Sequence, residues 1–152
     1  MQDAARVQVR PARPEDYEPI VAVVDAWWGR PVAAGLPRLF LDHFFSTSLV
    51  AEEQGALVGF LVGFASPARP EEAYIHFVGV SPGHRGAGLA RELYERFFEL
   101  ARAAGGRRVR AITAPVNQAS IAFHRRMGFA VSEPVPDYNG PGRPMVVFER
   151  AL

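Results

Sequence analysis

The stretch Arg85-Gly86-Ala87-Gly88-Leu89-Ala90 decides how this chain is read. It follows Tyr74-Ile75-His76-Phe77-Val78-Gly79-Val80, which reads as a strand, and the turn Ser81-Pro82-Gly83-His84. After it, Leu89, Leu93, Phe97 and Leu100 recur at helical spacing. Strand, glycine-rich turn and helix together form the layout of a phosphate cradle. The first N–H groups of a helix have no partner inside it, and glycine lets a bulky anion approach that backbone.

Three loops of this kind compete. A Walker-type loop needs Gly-Lys-Ser/Thr, and this chain has no Lys: all 17 of its Lys+Arg residues are Arg. A dinucleotide fingerprint needs Gly-x-Gly-x-x-Gly or Ala, and Arg91 stands where the third small residue belongs. The pattern Arg/Gln-x-x-Gly-x-Gly/Ala is satisfied by Arg85, Gly88 and Ala90.

A chain of 152 residues, 49% hydrophobic and 22% charged, suits one globular domain over 1–152. The net charge of +1 offers no argument for nucleic acid or an anionic membrane as partner. Cysteine is absent, which excludes disulfides, thiolate metal sites and a Cys nucleophile, and no metal cofactor is expected. No apolar run reaches membrane-spanning length, and Met1–Arg6 lacks the apolar region of a signal peptide. The expected location is the cytoplasm.

Outward from the loop, the pattern predicts strands at Val7–Arg10, Leu49–Glu53, Ala56–Phe64 and Tyr74–Val80, then at Val109–Thr113, Phe129–Val131 and Pro144–Glu149. Helices are expected from Pro14 to Trp28, Leu39 to Phe45, Arg85 to Ala104 and Asn117 to Met127. Pro14 suits a first helical position, and Gly105 and Gly128 suit helix ends. The order β-α-α-β-β-β-α-β-α-β-β is mixed α/β, with a crossover helix between the fourth and fifth strands.

A second motif lies about thirty residues beyond the loop. Asn117, Ser120, Phe123, Gly128 and Phe129 fit Asn-x-x-(small)-x-x-Phe-Tyr-x-x-x-Gly-Phe, with His124 where Tyr is usual. With the Arg85–Ala90 loop, this resembles the GNAT superfamily of N-acetyltransferases. The resemblance covers the C-terminal half by motif and the N-terminal third by element order alone. It implies a mixed, mostly antiparallel seven-stranded sheet, splayed between strands 4 and 5, with helices on both faces. It implies acetyl-CoA as co-substrate, its diphosphate on Arg85, Gly86, Ala87, Gly88, Leu89 and Ala90. The pantetheine arm is expected to pair with backbone groups of Val78 and Val80 and to meet Asn117, Phe123 and His124.

Direct acetyl transfer needs the amine deprotonated, the thioester carbonyl polarised and the thiolate stabilised. The resemblance assigns the second task to a backbone N–H at Val78. His124 stands where the family's Tyr protonates the leaving sulfur: it either donates a proton or only hydrogen-bonds the cofactor or faces water. His76 is the candidate general base, since alternation puts Tyr74, His76 and Val78 on one face and an imidazole with pKa about 6.5 suits that task. The other reading of His76 is a satisfied core histidine. Glu71 and Glu72 are weaker bases, read as solvated. Asn117 reads both as a helix cap and as a cofactor contact.

Trp27, Trp28 and Arg30 end the first helix, in the region that borders the acceptor groove in this family. Adjacent Trp residues are expected not to share one core, so that one faces a pocket or an interface. Tyr138, in the Pro136–Pro144 loop, is expected on the same groove with Tyr74. The chain thus reads as an N-acetyltransferase acting on a primary amine of a small molecule or peptide. A non-catalytic acyl-CoA-binding or regulatory module is the alternative. Many members of the family pair as homodimers, and the apolar edges here permit it.

Overall fold

The structure is a computed structural model, and it describes residues 6–152. The reading of the N-terminal residues as free of a signal peptide concerns mostly residues outside that range. The elements are β1 (Val7–Pro11), α1 (Tyr17–Trp28), α2 (Leu39–Phe44), β2 (Leu49–Glu53), β3 (Ala56–Ala65) and β4 (Glu72–Val80), then α3 (Leu89–Ala103), β5 (Arg108–Thr113), α4 (Gln118–Arg126), β6 (Ala130–Val131) and β7 (Val146–Ala151). The strands form one seven-stranded sheet in the order β1-β2-β3-β4-β5-β7-β6. The β1–β2, β2–β3, β5–β7 and β6–β7 pairs are antiparallel, and β4–β5 is parallel. A parallel pair needs a crossover, and α3 supplies it.

The β4–β5 ladder joins Glu72, Ala73 and Tyr74 to Arg108, Val109 and Arg110. Beyond those pairs, Ile75 and His76 on one strand and Ala111 to Thr113 on the other have no mutual register among the described residues. β5 stays paired along its whole length with β7. This is the expected parting of the fourth and fifth strands.

The chain gathers into two compact units: the chain up to Phe64 with Phe77–Leu100, and Ala65–His76 with Ala101–Leu152. In the first unit, Ala12, Ile20, Val24, Leu36, Leu41, Val50, Phe60, Val62 and Phe77 form a buried cluster. Ile20 and Val24, four apart on α1, supply that helix's buried stripe. α1 is entered through the turn Pro14–Asp16. There buried Asp16 accepts from the Arg13 N–H at 2.7 Å and pairs bidentately with Arg10 at 2.8 and 2.9 Å. Gly29, at φ +77°, ends the helix.

In the second unit, β5 buries Val109, Ala111 and Thr113 in strict alternation. His124 of α4 stacks on Phe148 of β7 with ring centroids 3.9 Å apart.

Of the boundaries that differ from the sequence reading, two bear on the site. The helix expected from Arg85 begins at Leu89, because Gly86 and Gly88 hold φ +81° and +85°, which no right-handed helix accommodates. β4 begins at Glu72, two residues early, and Glu72 is buried rather than solvated. Arg108 explains this, bonding Glu72 at 3.2 Å and Glu71 at 2.8 Å and so neutralising a carboxylate inside the sheet. Committed to Arg108, these carboxylates lose their standing as alternative bases.

Candidate active site

In the first unit, the loop before α3 is exposed from Arg85 to Gly88, and the chain dives inward at Leu89. A side chain added at Gly86 or Gly88 would meet no atom within 4 Å, so the space beside both glycines is open. The Glu92 N–H donates to the Gly88 carbonyl at 3.0 Å. In a helix that starts at Leu89, the N–H groups of Leu89, Ala90 and Arg91 have no acceptor one turn back. These amides lie at the positive end of a helix dipole, just after two left-handed glycines, a kind of geometry suited to anions. The approach to it is braced by His84, whose Nε2–H donates to Glu53 at 2.9 Å.

β4 presents Tyr74, His76, Val78 and Val80 half-buried, while Ala73, Ile75, Phe77 and Gly79 are buried. The alternation expected from the sequence therefore holds. Beyond its end, the Ser81 N–H bonds the Val58 carbonyl of β3 at 2.9 Å, so strand alternation turns the backbone groups of Val78 and Val80 to the other edge. Side chains of the same unit meet the carbonyls there. The Trp28 indole N–H donates to Val78 O at 3.1 Å, and Arg85 Nε donates to Val80 O at 3.2 Å. Arg85 also bonds the Trp27 carbonyl. Its guanidinium therefore straps the end of α1 to the end of β4.

The two tryptophans correct the sequence reading. Trp27 stacks with Phe60 at 6.1 Å, Trp28 tilts against Phe77 at 4.8 Å, and both pack on the same core cluster. The last helical turn lies close over β4, where Gly79 has no side chain. A Cβ there would come within 2.5 Å of Phe60 and 3.3 Å of Trp27. That missing side chain makes room for the Phe60 and Trp27 rings.

In the second unit, Tyr74 has its pKa pushed up to about 12, first by burial and then by the nearby Tyr138 hydroxyl. Tyr138 is 44% exposed, and Tyr74 is half-buried. Its loop is internally bonded: Asp137, at φ +56°, accepts the Gly142 N–H at 2.8 Å through its carboxylate and the Gly140 N–H at 3.0 Å through its carbonyl. Asn117 caps α4, accepting from the Ser120 N–H at 3.2 Å while donating to Thr113 Oγ1 at 3.2 Å. Phe123 is half-buried and meets His124 edge-on at 5.5 Å.

His124 is buried, and its Nδ1 lies 2.7 Å from the Ser120 carbonyl. A carbonyl only accepts, so Nδ1 carries the proton. Burial pulls the ring's pKa down to about 4, against a smaller opposing effect of that backbone bond. The neutral ring has its lone pair at Nε2, which accepts hydrogen bonds and donates none. The resemblance implied a proton donor or a cofactor contact at this position, and this tautomer does not supply a proton.

The sequence profile of the acetyltransferase (GNAT) family matches residues 10–129. The chain belongs to the GNAT acetyltransferase family. Among relatives of this GNAT chain, an L-2,4-diaminobutyric acid acetyltransferase of Virgibacillus pantothenticus is 37% identical over 79 residues, 52% of this chain and 50% of that protein. The chain thus spans about half the length of that relative. The L-amino acid N-acyltransferase MnaT of Escherichia coli K12 is 32% identical over 113 residues, 73% of this chain and 60% of its own. In fold, the GNAT chain is similar to the solved structure of diaminobutyrate acetyltransferase EctA from Paenibacillus lautus, in complex with L-2,4-diaminobutyric acid and coenzyme A. The TM-score is 0.74 at 21% identity, covering 95% of each chain.

Three features of this GNAT chain escaped the sequence reading: the Glu53–His84 brace, the Arg85 strap and the Trp28–Val78 bond. Each joins residues 31 or more apart. Only the Gln54-Gly55 turn hinted at the first, by ending β2 at Glu53.

Proposed function

We propose that this chain is an acetyl-CoA-dependent N-acetyltransferase acting on the primary amine of a small amino acid. One observation carries the reading: the open, left-handed Gly86–Gly88 turn ahead of α3, whose amides suit a diphosphate. Several charge-assisted bonds from such amides are worth roughly 1.5–3 kcal/mol each before desolvation. The names of the diaminobutyrate and L-amino acid relatives, which specify amino-acid acceptors, support the acceptor class. The profile match over 10–129 supports one working domain over 1–152, since it runs through both compact units.

In this reading, the Val78 N–H polarises the thioester carbonyl as its oxygen gains charge, and the Trp28 bond to Val78 holds that stretch of β4 in place. His76, two residues away on the same strand face, takes the proton of the acceptor ammonium. The free amine forms the new C–N bond, the C–S bond breaks, and the proton that the nitrogen sheds on becoming an amide passes through water to the departing thiolate, with no acyl-enzyme. Tyr74, half-buried, and Tyr138, exposed, are assigned to the acceptor. His124 is assigned to packing in the aromatic stack with Phe148 rather than to acid catalysis.

The test is release of free thiol from acetyl-CoA across a panel of amines, beside a direct titration of acetyl-CoA. Amine-dependent thiol release is expected. Tight acetyl-CoA binding with no turnover on any amine would instead favour a non-catalytic acyl-CoA-binding module.

A further inference from the structure

The end of α1 carries an arginine that none of the foregoing roles uses. Gly29 closes the helix with its N–H on the Asp25 carbonyl at 2.9 Å. The Asp25 carboxylate then accepts the N–H groups of Val32 and Ala33 at 2.7 and 2.8 Å. The turn containing Arg30 is therefore clamped at both ends, and Pro31 restricts Arg30 itself. The Arg30 guanidinium lies over the Trp28 ring, 5.5 Å from its centroid. Among the described residues, no carboxylate pairs with it. Arg10, Arg38, Arg91, Arg96, Arg108 and Arg110 each have such a partner. Asp25, the acid closest in sequence, is the one committed to the loop backbone.

We infer that Arg30 receives the carboxylate of the acceptor and so selects amines that carry one. The inference rests on the acetyl-transfer reading above. A guanidinium over an indole keeps its in-plane N–H groups available, and their fork matches a carboxylate with two parallel bonds. The same indole is anchored by its N–H to the Val78 carbonyl at 3.1 Å. Guanidinium and reacting backbone are thus separated by one indole ring and one hydrogen bond. A small amino acid bound here would set its carboxylate on the guanidinium and turn its amine towards that stretch of β4. The loop clamp fixes the backbone at Arg30 beforehand, which reduces the ordering the substrate must impose.

The experiment compares matched acceptors on the full chain: L-2,4-diaminobutyrate and L-phenylalanine, each against its α-carboxamide, with acetyl-CoA as donor. Wild type should favour both carboxylates. Arg30→Gln should raise KM for them by about ten- to a hundredfold, the loss of one charge-assisted pair. KM for the carboxamides and for acetyl-CoA should change less than about threefold, within the effect of an ordinary surface substitution. Arg30→Lys should recover part of the loss, since it keeps the charge without the fork. Equal effects on acid and amide, a rise in the acetyl-CoA KM instead, or no effect at all would overturn the assignment of Arg30. Failure of wild type to turn over any of the four, with acetyl-CoA bound, would overturn the acetyl-transfer reading first and this inference with it.

Discussion

Replacing Gly88 tests the cofactor loop most directly. Its φ of +85° costs an L-residue about 1–2 kcal/mol, and an added Cβ meets nothing within 4 Å. The penalty of Gly88→Ala is therefore conformational, with no clash to add. For a chain of this length, it lowers the melting temperature by roughly 2–8 °C. If the backbone instead relaxes to negative φ, stability recovers but the amides turn away from the anion. Losing one charge-assisted bond of roughly 1.5–3 kcal/mol weakens coenzyme A binding about ten- to a hundredfold. Thermal denaturation with and without coenzyme A reads both terms. At a hundred times its Kd, a ligand adds about 2.7 kcal/mol of stability, and a hundredfold loss of affinity leaves about 0.4 kcal/mol of that. Gly83→Ala is the control, because Gly83 has an ordinary φ and open space around it. It should stay within about 0.5 kcal/mol of wild type with affinity intact. A folded Gly86→Val/Gly88→Val protein that binds coenzyme A as tightly as wild type would refute the diphosphate assignment.

Three further predictions concern single side chains. His76→Ala should lower kcat with little change in acetyl-CoA affinity, and a collapse of cofactor binding would instead mark His76 as structural. Buried His124 binds its proton more weakly folded (pKa about 4) than unfolded (about 6.5), so between those values the unfolded state holds more protons. Stability is then complete above about pH 7 and falls by on the order of 3 kcal/mol as pH drops towards 4. Urea titrations at pH 7 and 4.5 should show a smaller difference for His124→Phe than for wild type, and an equal difference would contradict the buried neutral ring. Asn117→Ala should cost about 1 kcal/mol in urea unfolding, and Asn117→Asp should retain most of the cap. Equal losses in both variants would argue against the cap.

Much of this was legible along the chain. Strand alternation gave the common face of Tyr74, His76 and Val78, and Asn117 stood where a helix needs a cap. The misreadings have identifiable causes. Helical spacing from Leu89 onward says nothing about the residues before it, so the helix was extended back into two glycines that in fact take left-handed φ. Glu72 looked like a solvated entrance because its partner Arg108 lies 36 residues away. His124 resembled an acid until burial and the Ser120 carbonyl set its tautomer. Helical geometry at Trp27 and Trp28 argued for divergent rings, but Gly79 leaves space for Trp27 beside Phe60 while Trp28 packs on Phe77, so both reach one core.

By itself, the sequence determined the element order, the glycine turn before α3 and the family, because these depend on residues that neighbour each other along the chain. Tertiary structure alone decided which carbonyls Trp28 and Arg85 occupy, which way the His124 proton faces, and that Arg30 has no acidic partner among the described residues. Those outcomes depend on groups distant in sequence, and a buried polar atom's state follows from whichever partner the fold brings within about 3 Å of it.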